Sequence, residues 1–121
     1  MNPVTWFEIP VIDFPRAKSF YEKVFEIELS EQAMDNMTMA WFPWEQEGAG
    51  CTGTLIKAES YVPSHSGTLV YFSVKDIEAT LDRAATHGGK ILFPKFSIGD
   101  HGFCGHFEDC EGNRVALHSS Q

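Results

Sequence analysis

The spacing of apolar residues divides the first half of the chain into one helix and four strands. Residues 4–11 are extended in character and rich in branched and aromatic side chains, which is typical of a strand. Asp13 is a natural N-cap, and apolar side chains then recur at helical spacing over residues 14–25. Three further strands are predicted at residues 27–33, 37–44 and 51–57.

The second half of the chain repeats this order of elements. A strand is predicted at residues 67–74, Asp76 then caps a second helix, and Gly88-Gly89 ends that helix. Three strands follow at about residues 90–96, 102–108 and 113–118. The segment Val11-Ile12-Asp13-Phe14 superposes on Val74-Lys75-Asp76-Ile77 at an offset of 63 positions. The pattern therefore indicates an internal repeat of a βαβββ unit.

Neither unit alone can bury its helix stripe together with both faces of its sheet. We therefore predict an α+β fold in which the two βαβββ units form a curved mixed sheet around a cleft. A chain of 121 residues has the length of one domain. We expect a single domain over residues 1–121, with unit one at 1–57, a linker at 58–66 and unit two at 67–121.

The charge of the chain limits its partners. The formal net charge is -8, so the surface repels nucleic-acid phosphates and anionic lipid, and we expect no nucleic-acid or membrane partner. No apolar run reaches the roughly 18 residues needed to span a bilayer, and no secretion signal is visible. Cys51, Cys104 and Cys110 lack metal-finger spacing, which is typical of reduced thiols. We expect a cytoplasmic protein.

One carboxylate, Glu8, interrupts the apolar first strand. Because side chains alternate along a strand, Glu8 shares a face with Trp6, while the opposite face is more uniformly apolar and should pack on the helix. The face of Glu8 then lines the cleft, and the offset of the repeat places Tyr71 at the equivalent position. The same alternation along the final strand directs Arg114, Ala116 and His118 into the cleft.

Three motifs together carry a resemblance to a known family. They are FEIPVIDFPRAKSFYEKVF at residues 7–25, YFSVKDIEATLDRAATHGGKIL at residues 71–92 and FEDCEGNRVALH at residues 107–118. In this order they resemble the vicinal oxygen chelate superfamily, which contains glyoxalase, bleomycin-resistance and extradiol-dioxygenase proteins. The third motif is similar to a closing Asp-Pro-x-Gly-Asn hairpin, with Cys110 in place of proline. The resemblance implies paired βαβββ units and a homodimer.

The resemblance also assigns positions for a metal. In metal-dependent members, four inward side chains, usually His, Gln or Glu, bind a divalent cation. The resemblance places these positions at Trp6, at Leu69, at Ala116 and within Gly53 to Leu55. Indole, isobutyl and methyl groups offer no lone pair to a cation, so the resemblance implies the scaffold without the metal, and no cofactor. A divalent metal bound elsewhere, by Glu8, His106 and His118, is the alternative.

Three hypotheses about function stay open. The first is a metal-free binder of a small organic molecule, with a predicted site of Trp6, Glu8, Trp41, Leu69, Tyr71, Cys104, His106, Arg114, Ala116 and His118. The second is an enzyme of the lyase or isomerase type that uses Glu8, with His106 as its acid–base partner if that side chain points inward, or a displaced metal. The third is a structural or interaction dimer in which Glu8 pairs with Arg114 or Tyr71.

Overall fold

A computed structural model describes residues 2–121, so Met1, the first residue of the predicted unit one, lies outside the described residues. The first unit contains β1 (Trp6–Pro10), α1 (Phe14–Phe25), β2 (Ser30–Met34), β3 (Met37–Trp41) and β4 (Thr52–Lys57). The second contains β5 (Tyr71–Ser73), α2 (Ile77–Thr86), β6 (Lys90–Ser97), a short 3₁₀ helix (Gly99–His101), β7 (Phe103–Glu108) and β8 (Arg114–Ser119). The predicted α+β fold of two βαβββ units is confirmed.

The strands form two four-stranded sheets with the same topology. Their strand orders are β1-β4-β3-β2 and β5-β8-β7-β6, which coincide when the second unit is superposed on the first. β1 runs parallel to β4 and β5 runs parallel to β8, while the remaining pairs are antiparallel. β1 and β5 are therefore both edge strands, and each presents one edge without a strand partner within its sheet.

Some strand boundaries differ from the predicted ones, and local hydrogen bonds explain the difference at the start of β2. β2 begins at Ser30 rather than at residue 27. The chain leaves α1 through Glu26 in a left-handed conformation, with φ of 56°. The carboxylate of Glu22 then accepts a hydrogen bond from the backbone nitrogen of Leu29 at 2.9 Å. This exit segment is held against the helix and is not free to join the sheet.

Each helix buries the apolar stripe that its sequence predicts. Asp13 and Asp76 cap the two helices, with side chains accepting from backbone nitrogens at 3.2 and 3.0 Å. The stripe of α1 consists of Phe14, Ala17, Phe20, Tyr21 and Val24, all buried. One hydrophobic cluster contains residues of both units, and the rings of Phe25 and Phe72 join them with centroids 4.5 Å apart. The two units thus share a core.

A buried polar network ties the turn between β7 and β8 to the first unit. Asp109 is only 1% exposed, and its carboxylate accepts hydrogen bonds from the Tyr21 hydroxyl at 2.7 Å and from the backbone nitrogen of Glu111 at 2.8 Å. It also accepts from Asn113, through the backbone nitrogen at 2.9 Å and Nδ2 at 3.0 Å. Nδ2 of Asn113 additionally donates to the Pro10 carbonyl at 2.8 Å. The third motif of the sequence is therefore a structural joint between the units.

Replacing Tyr21 with phenylalanine should change how stability responds to alkaline pH. Burial and the neighbouring Asp109 raise the pKa of Tyr21 well above its ordinary value of 10.0. Above pH 10 the unfolded chain therefore releases a proton that the folded chain keeps, and the free energy of unfolding falls as pH rises. The Tyr21→Phe variant should be less stable at pH 7 by about 1 kcal/mol, because the hydrogen bond to Asp109 is missing. It also lacks the titrating hydroxyl, so its free energy of unfolding should fall less steeply above pH 10.

Urea unfolding at pH 7, 9, 10 and 10.5 measures this difference. Part of the decline should persist in the variant, because burial raises the pKa of Cys110 to about 12 and its thiol acts in the same direction. Identical slopes for the two proteins above pH 10 would contradict the assignment.

Candidate functional site

A cleft of about 920 Å³ lies between the two edge strands β1 and β5. Trp6 and Glu8 line it from β1, and Leu69 and Tyr71 line it from the start of the second unit. Phe42 and Phe72 contribute apolar surface deeper in the wall, where they belong to or pack against the shared core. Four of the ten side chains in the predicted site therefore meet in this cleft.

The alternation of β1 determines which side chains enter the cleft. Ile9 is buried in the core, and the ring of Phe7 contacts that of Phe72 with centroids 5.7 Å apart. Trp6 and Glu8 lie on the opposite face of the strand and are exposed. Trp41, on β3, meets Trp6 edge to face at a centroid distance of 5.1 Å, so the two indoles form a continuous aromatic surface beside the cleft.

Glu8 has a neighbour that the sequence analysis did not identify. Tyr61, in the linker, lies close to Glu8, whose carboxylate, as a hydrogen-bond acceptor and as a negative charge, raises the pKa of Tyr61. Within residues 2–121 no ion pair joins Glu8 to Arg114 or to His106. The closed Glu8–Arg114 pair of the structural hypothesis is therefore wrong for this structure, and so is the Glu8–His106 acid–base couple.

His106 is bound by Arg114 instead. Phe107 lies in the core, so the alternation of β7 directs His106 to the opposite, cleft side of the sheet. Nδ1 of His106 accepts hydrogen bonds from Nε of Arg114 at 3.1 Å and from Nη2 at 2.8 Å. Burial, followed by the positive charge of Arg114, lowers the pKa of His106. The ring is therefore neutral near pH 7, and because Nδ1 is an acceptor, Nε2 carries the proton.

Three aromatic side chains surround the ring of His106. The centroid distances are 6.0 Å to Tyr71, 5.5 Å to Phe93 and 6.0 Å to Phe96. The guanidinium of Arg114 lies over Phe93, 5.3 Å from its centroid. Phe93 and Phe96 were not among the predicted site residues.

The remaining predicted site residues are less accessible. Cys104 and Ala116 are buried. Nε2 of His118 lies 2.6 Å from the carbonyl of His101, so that imidazole is already bonded to the chain. The structure thus brings Tyr71, His106 and Arg114 together beside the cleft, and places Cys104, Ala116 and His118 under or beside them rather than in open contact with it.

The register of the sheets resolves the ambiguous metal position. Glu8 is opposite Thr54 in the first unit, and Tyr71 is opposite Ala116 in the second, so Thr54 is the counterpart of Ala116. The hydroxyl of Thr54 has two acceptors within hydrogen-bond distance, the carbonyl oxygens of Leu55 at 2.6 Å and of Ala40 at 2.9 Å. The four positions are therefore Trp6, Thr54, Leu69 and Ala116, a set that does not fit a divalent cation. In the part of the chain that is described, no three His, Cys, Asp or Glu side chains form a possible metal site.

The paired βαβββ units around a cleft define the class of fold, and comparison with known proteins defines the family. The model of the Glyoxalase/Bleomycin resistance protein/Dioxygenase superfamily matches residues 4–117, and the chain belongs to this family. A glyoxylase-like domain-containing protein of Didymella fabae is 31% identical over 121 residues, covering 94% of this chain and 91% of the relative.

Solved structures of the same fold have lower sequence identity. The glyoxylase/bleomycin resistance protein/dioxygenase domain from Frankia sp. EAN1pec has a TM-score of 0.76 at 14% identity, covering 100% of this chain and 99% of that one. TnmS3, an antibiotic binding protein from Streptomyces sp. CB03234, has a TM-score of 0.71 at 23% identity, covering 100% and 98%. Glyoxalase I from Zea mays has a TM-score of 0.71 at 19% identity, covering 98% of this chain but only 46% of that one.

The present chain spans less than half the length of the maize glyoxalase I chain. Neither of the two α-helices within residues 2–121 combines the length and the apolar character that crossing a membrane requires.

Proposed function

We propose that this protein binds a small organic molecule in the cleft between β1 and β5, without a metal ion. The observation that carries the proposal is the cleft itself, whose volume of about 920 Å³ lies within the range of roughly 300–1,000 Å³ typical of ligand pockets. Its walls combine aromatic and aliphatic surface with one carboxylate. Such a site gains affinity from apolar contact and orientation from a single polar group.

Glu8 sets the polarity of the group that it binds. The carboxylate has no basic side chain as an ion-pair partner within residues 2–121, so its remaining lone pairs are free to accept hydrogen bonds from a ligand amine or hydroxyl. Trp6, adjacent to it on the same face, adds favourable interaction with a cation through its ring. The expected ligand is therefore an apolar or aromatic molecule that presents a protonated amine or a hydroxyl group to Glu8.

The comparisons support this proposal at the level of the fold. TnmS3, which shares the fold over its whole length, is an antibiotic binding protein. The side chains at the four positions that the family resemblance assigns to a metal do not fit a cation, which favours a binding role over a metal-dependent reaction. A lyase or isomerase would have to use other groups.

Replacing Glu8 with glutamine should weaken the binding of an aromatic amine by roughly tenfold, because a hydrogen bond to a charged group contributes about 1.5–3 kcal/mol. A suitable probe is 2-naphthylmethylamine, which is protonated at pH 7. Its binding can be followed by quenching of tryptophan fluorescence, since Trp6 and Trp41 border the cleft. Addition of EDTA should leave the dissociation constant unchanged.

Glu31→Gln provides the matched control. Glu31 is exposed on β2, the outermost strand of the same sheet, so the same change of charge there should alter affinity by less than about twofold. Equal affinity of the Glu8→Gln variant and the unmodified protein would contradict the role of Glu8. Loss of binding in EDTA, together with a stoichiometric metal found by elemental analysis, would contradict the metal-free hypothesis and show that the protein is a metalloprotein.

We also propose that the protein is a homodimer and that it is located in the cytoplasm. β2 is exposed along its whole length and has an unpaired edge, which a second copy of the chain would cover. The three cysteines are unpaired, in keeping with a reducing compartment. Sedimentation equilibrium measures the mass in solution, and a monomer at micromolar concentration would contradict the dimer.

A further inference from the structure

Tyr71, Phe93 and Phe96 surround His106 on the cleft side of the second sheet, and we call this group of four side chains the aromatic chamber. The three outer rings are exposed, at 52% for Tyr71, 49% for Phe93 and 40% for Phe96. His106, by contrast, is 8% exposed and forms the floor of the chamber. An open ring of aromatic side chains around one buried polar group has the composition of a ligand subsite.

The floor of the chamber offers one hydrogen-bond donor. Nδ1 of His106 is occupied by Arg114, and Nε2 carries the proton but has no partner among residues 2–121. No fully buried side-chain nitrogen or oxygen within the described residues lacks a partner, so Nε2 is accessible to solvent. It presents an N–H group in a fixed direction, since two hydrogen bonds from Arg114 hold the opposite side of the ring.

We propose that the chamber binds a planar aromatic group carrying a carbonyl or carboxylate oxygen, which accepts the hydrogen bond from Nε2 of His106. The proposal rests on the proposed function, because Tyr71 borders both the cleft and the chamber and one ligand would extend through both. Stacking against the walls holds the aromatic body, and the donor at the floor fixes its orientation. A protonated amine in this position would be unfavourable, because its N–H groups would face the N–H group of His106 and neither could accept a hydrogen bond.

Arg114 acts as a positioning residue. Its guanidinium keeps the proton of His106 on Nε2 and makes the chamber electropositive, which favours an oxygen with negative charge. Glu8 gives the neighbouring cleft the opposite preference. The two ends of the site are therefore distinguished by polarity, with donor groups of the ligand at Glu8 and acceptor oxygens at His106.

Two probes of matched shape test the chamber. 2-Naphthoate carries the acceptor oxygen and 2-methylnaphthalene does not. With histidine labelled by ¹⁵N, 2-naphthoate should shift the Nε2 resonance of His106. His106→Phe keeps an aromatic floor and removes the donor, so it should weaken 2-naphthoate binding by roughly tenfold and change the affinity for 2-methylnaphthalene by less than about twofold. Arg114→Gln should move the ¹⁵N signals of His106 towards a mixture of tautomers, which a purely structural role of Arg114 would not do.

Matched variants keep the test decisive. His87 is exposed at the end of α2, so His87→Phe should bind both probes like the unmodified protein. If His106→Phe does not fold, as judged by circular dichroism, Phe96→Leu tests the wall instead and should weaken binding of both probes by about fivefold.

Failure of this inference can be separated from failure of the proposed function. The proposed role of the chamber is wrong if His106→Phe binds 2-naphthoate as tightly as the unmodified protein. The same holds for Phe96→Leu where that variant is used. If 2-naphthylmethylamine still binds in a manner that depends on Glu8, the proposed function stands without it. A second copy of the chain could cover the rings instead of a ligand. In that case the unmodified protein would be a dimer that does not bind 2-naphthoate, and Phe96→Ser would be a monomer. This pair of results would also overturn the chamber.

Discussion

Replacing Asp109 with alanine should lower the free energy of unfolding by about 4 kcal/mol, the largest loss that we expect from a single substitution in this chain. The carboxylate accepts from the Tyr21 hydroxyl, from the backbone nitrogens of Glu111 and Asn113, and from Nδ2 of Asn113. Alanine removes both acceptor oxygens, and with them all four of these hydrogen bonds. Each buried donor left without a partner costs about 1–3 kcal/mol, offset in part by release of the buried charge.

Urea unfolding at pH 7 measures the effect, and two variants bracket it. Asp82 is exposed on α2, so Asp82→Ala should change stability by less than about 0.5 kcal/mol. Asp109→Asn keeps one acceptor oxygen and should fall between the two. A loss in Asp109→Ala no larger than that in Asp82→Ala would mean that the hairpin does not join the units.

The helices and the repeat could be predicted because their signals are local. An aspartate before each helix and apolar side chains at helical spacing specify where α1 and α2 begin and which face is buried. The cleft face of β1 followed from alternation, because this strand is regular from Trp6 to Pro10. The family resemblance, carried by the same segments, is confirmed by the match over residues 4–117.

The chamber could not be predicted, because β6 is irregular. Its pairing with β7 shifts register between Ile91 and Phe93 and again between Phe93 and Phe96. Phe93 and Phe96 are three positions apart, so simple alternation would place them on opposite faces, whereas the bulges turn both towards His106. Pro94, which lies between the two phenylalanines, marks an irregularity in the strand, but it does not indicate the face to which each ring turns.

The position of Tyr61 beside Glu8 could not be predicted from the sequence, for a different reason. Tyr61 lies in the linker, where no periodic pattern assigns a direction to its side chain. The linker is held in place by tertiary contacts, including a hydrogen bond from the backbone nitrogen of Ser64 to Oδ1 of Asn113 at 3.1 Å. The position of Tyr61 thus depends on the hairpin of the other unit, which lies almost 50 residues further along the chain.

Replacing Gly53 with alanine should lower the free energy of unfolding by about 3 kcal/mol and should also weaken ligand binding. Gly53 is paired with Phe7 in the parallel ladder between β4 and β1. A methyl group on Gly53 would lie 2.3 Å from the backbone oxygen of Phe7 and 2.6 Å from its ring, far inside van der Waals contact. β1 would have to move away from β4. This movement would displace Trp6 and Glu8, which are the neighbours of Phe7 in the sequence and lie on the cleft face of β1.

The two consequences can be measured on one protein, by urea unfolding and by titration with 2-naphthylmethylamine. Gly48→Ala is the matched control, because the nearest atoms to its added methyl group, the Cβ, Oε2 and backbone oxygen of Glu45, lie at 3.1, 3.2 and 3.3 Å, so a small local adjustment relieves the contact and the loss there should stay below about 1 kcal/mol. Because Trp6 and Glu8 on β1 line the cleft, Gly53→Ala should lose affinity even under conditions in which it is fully folded. A folded Gly53→Ala protein that binds the amine as tightly as the unmodified chain would show that the ligand does not touch β1, and the cleft would have to be assigned elsewhere.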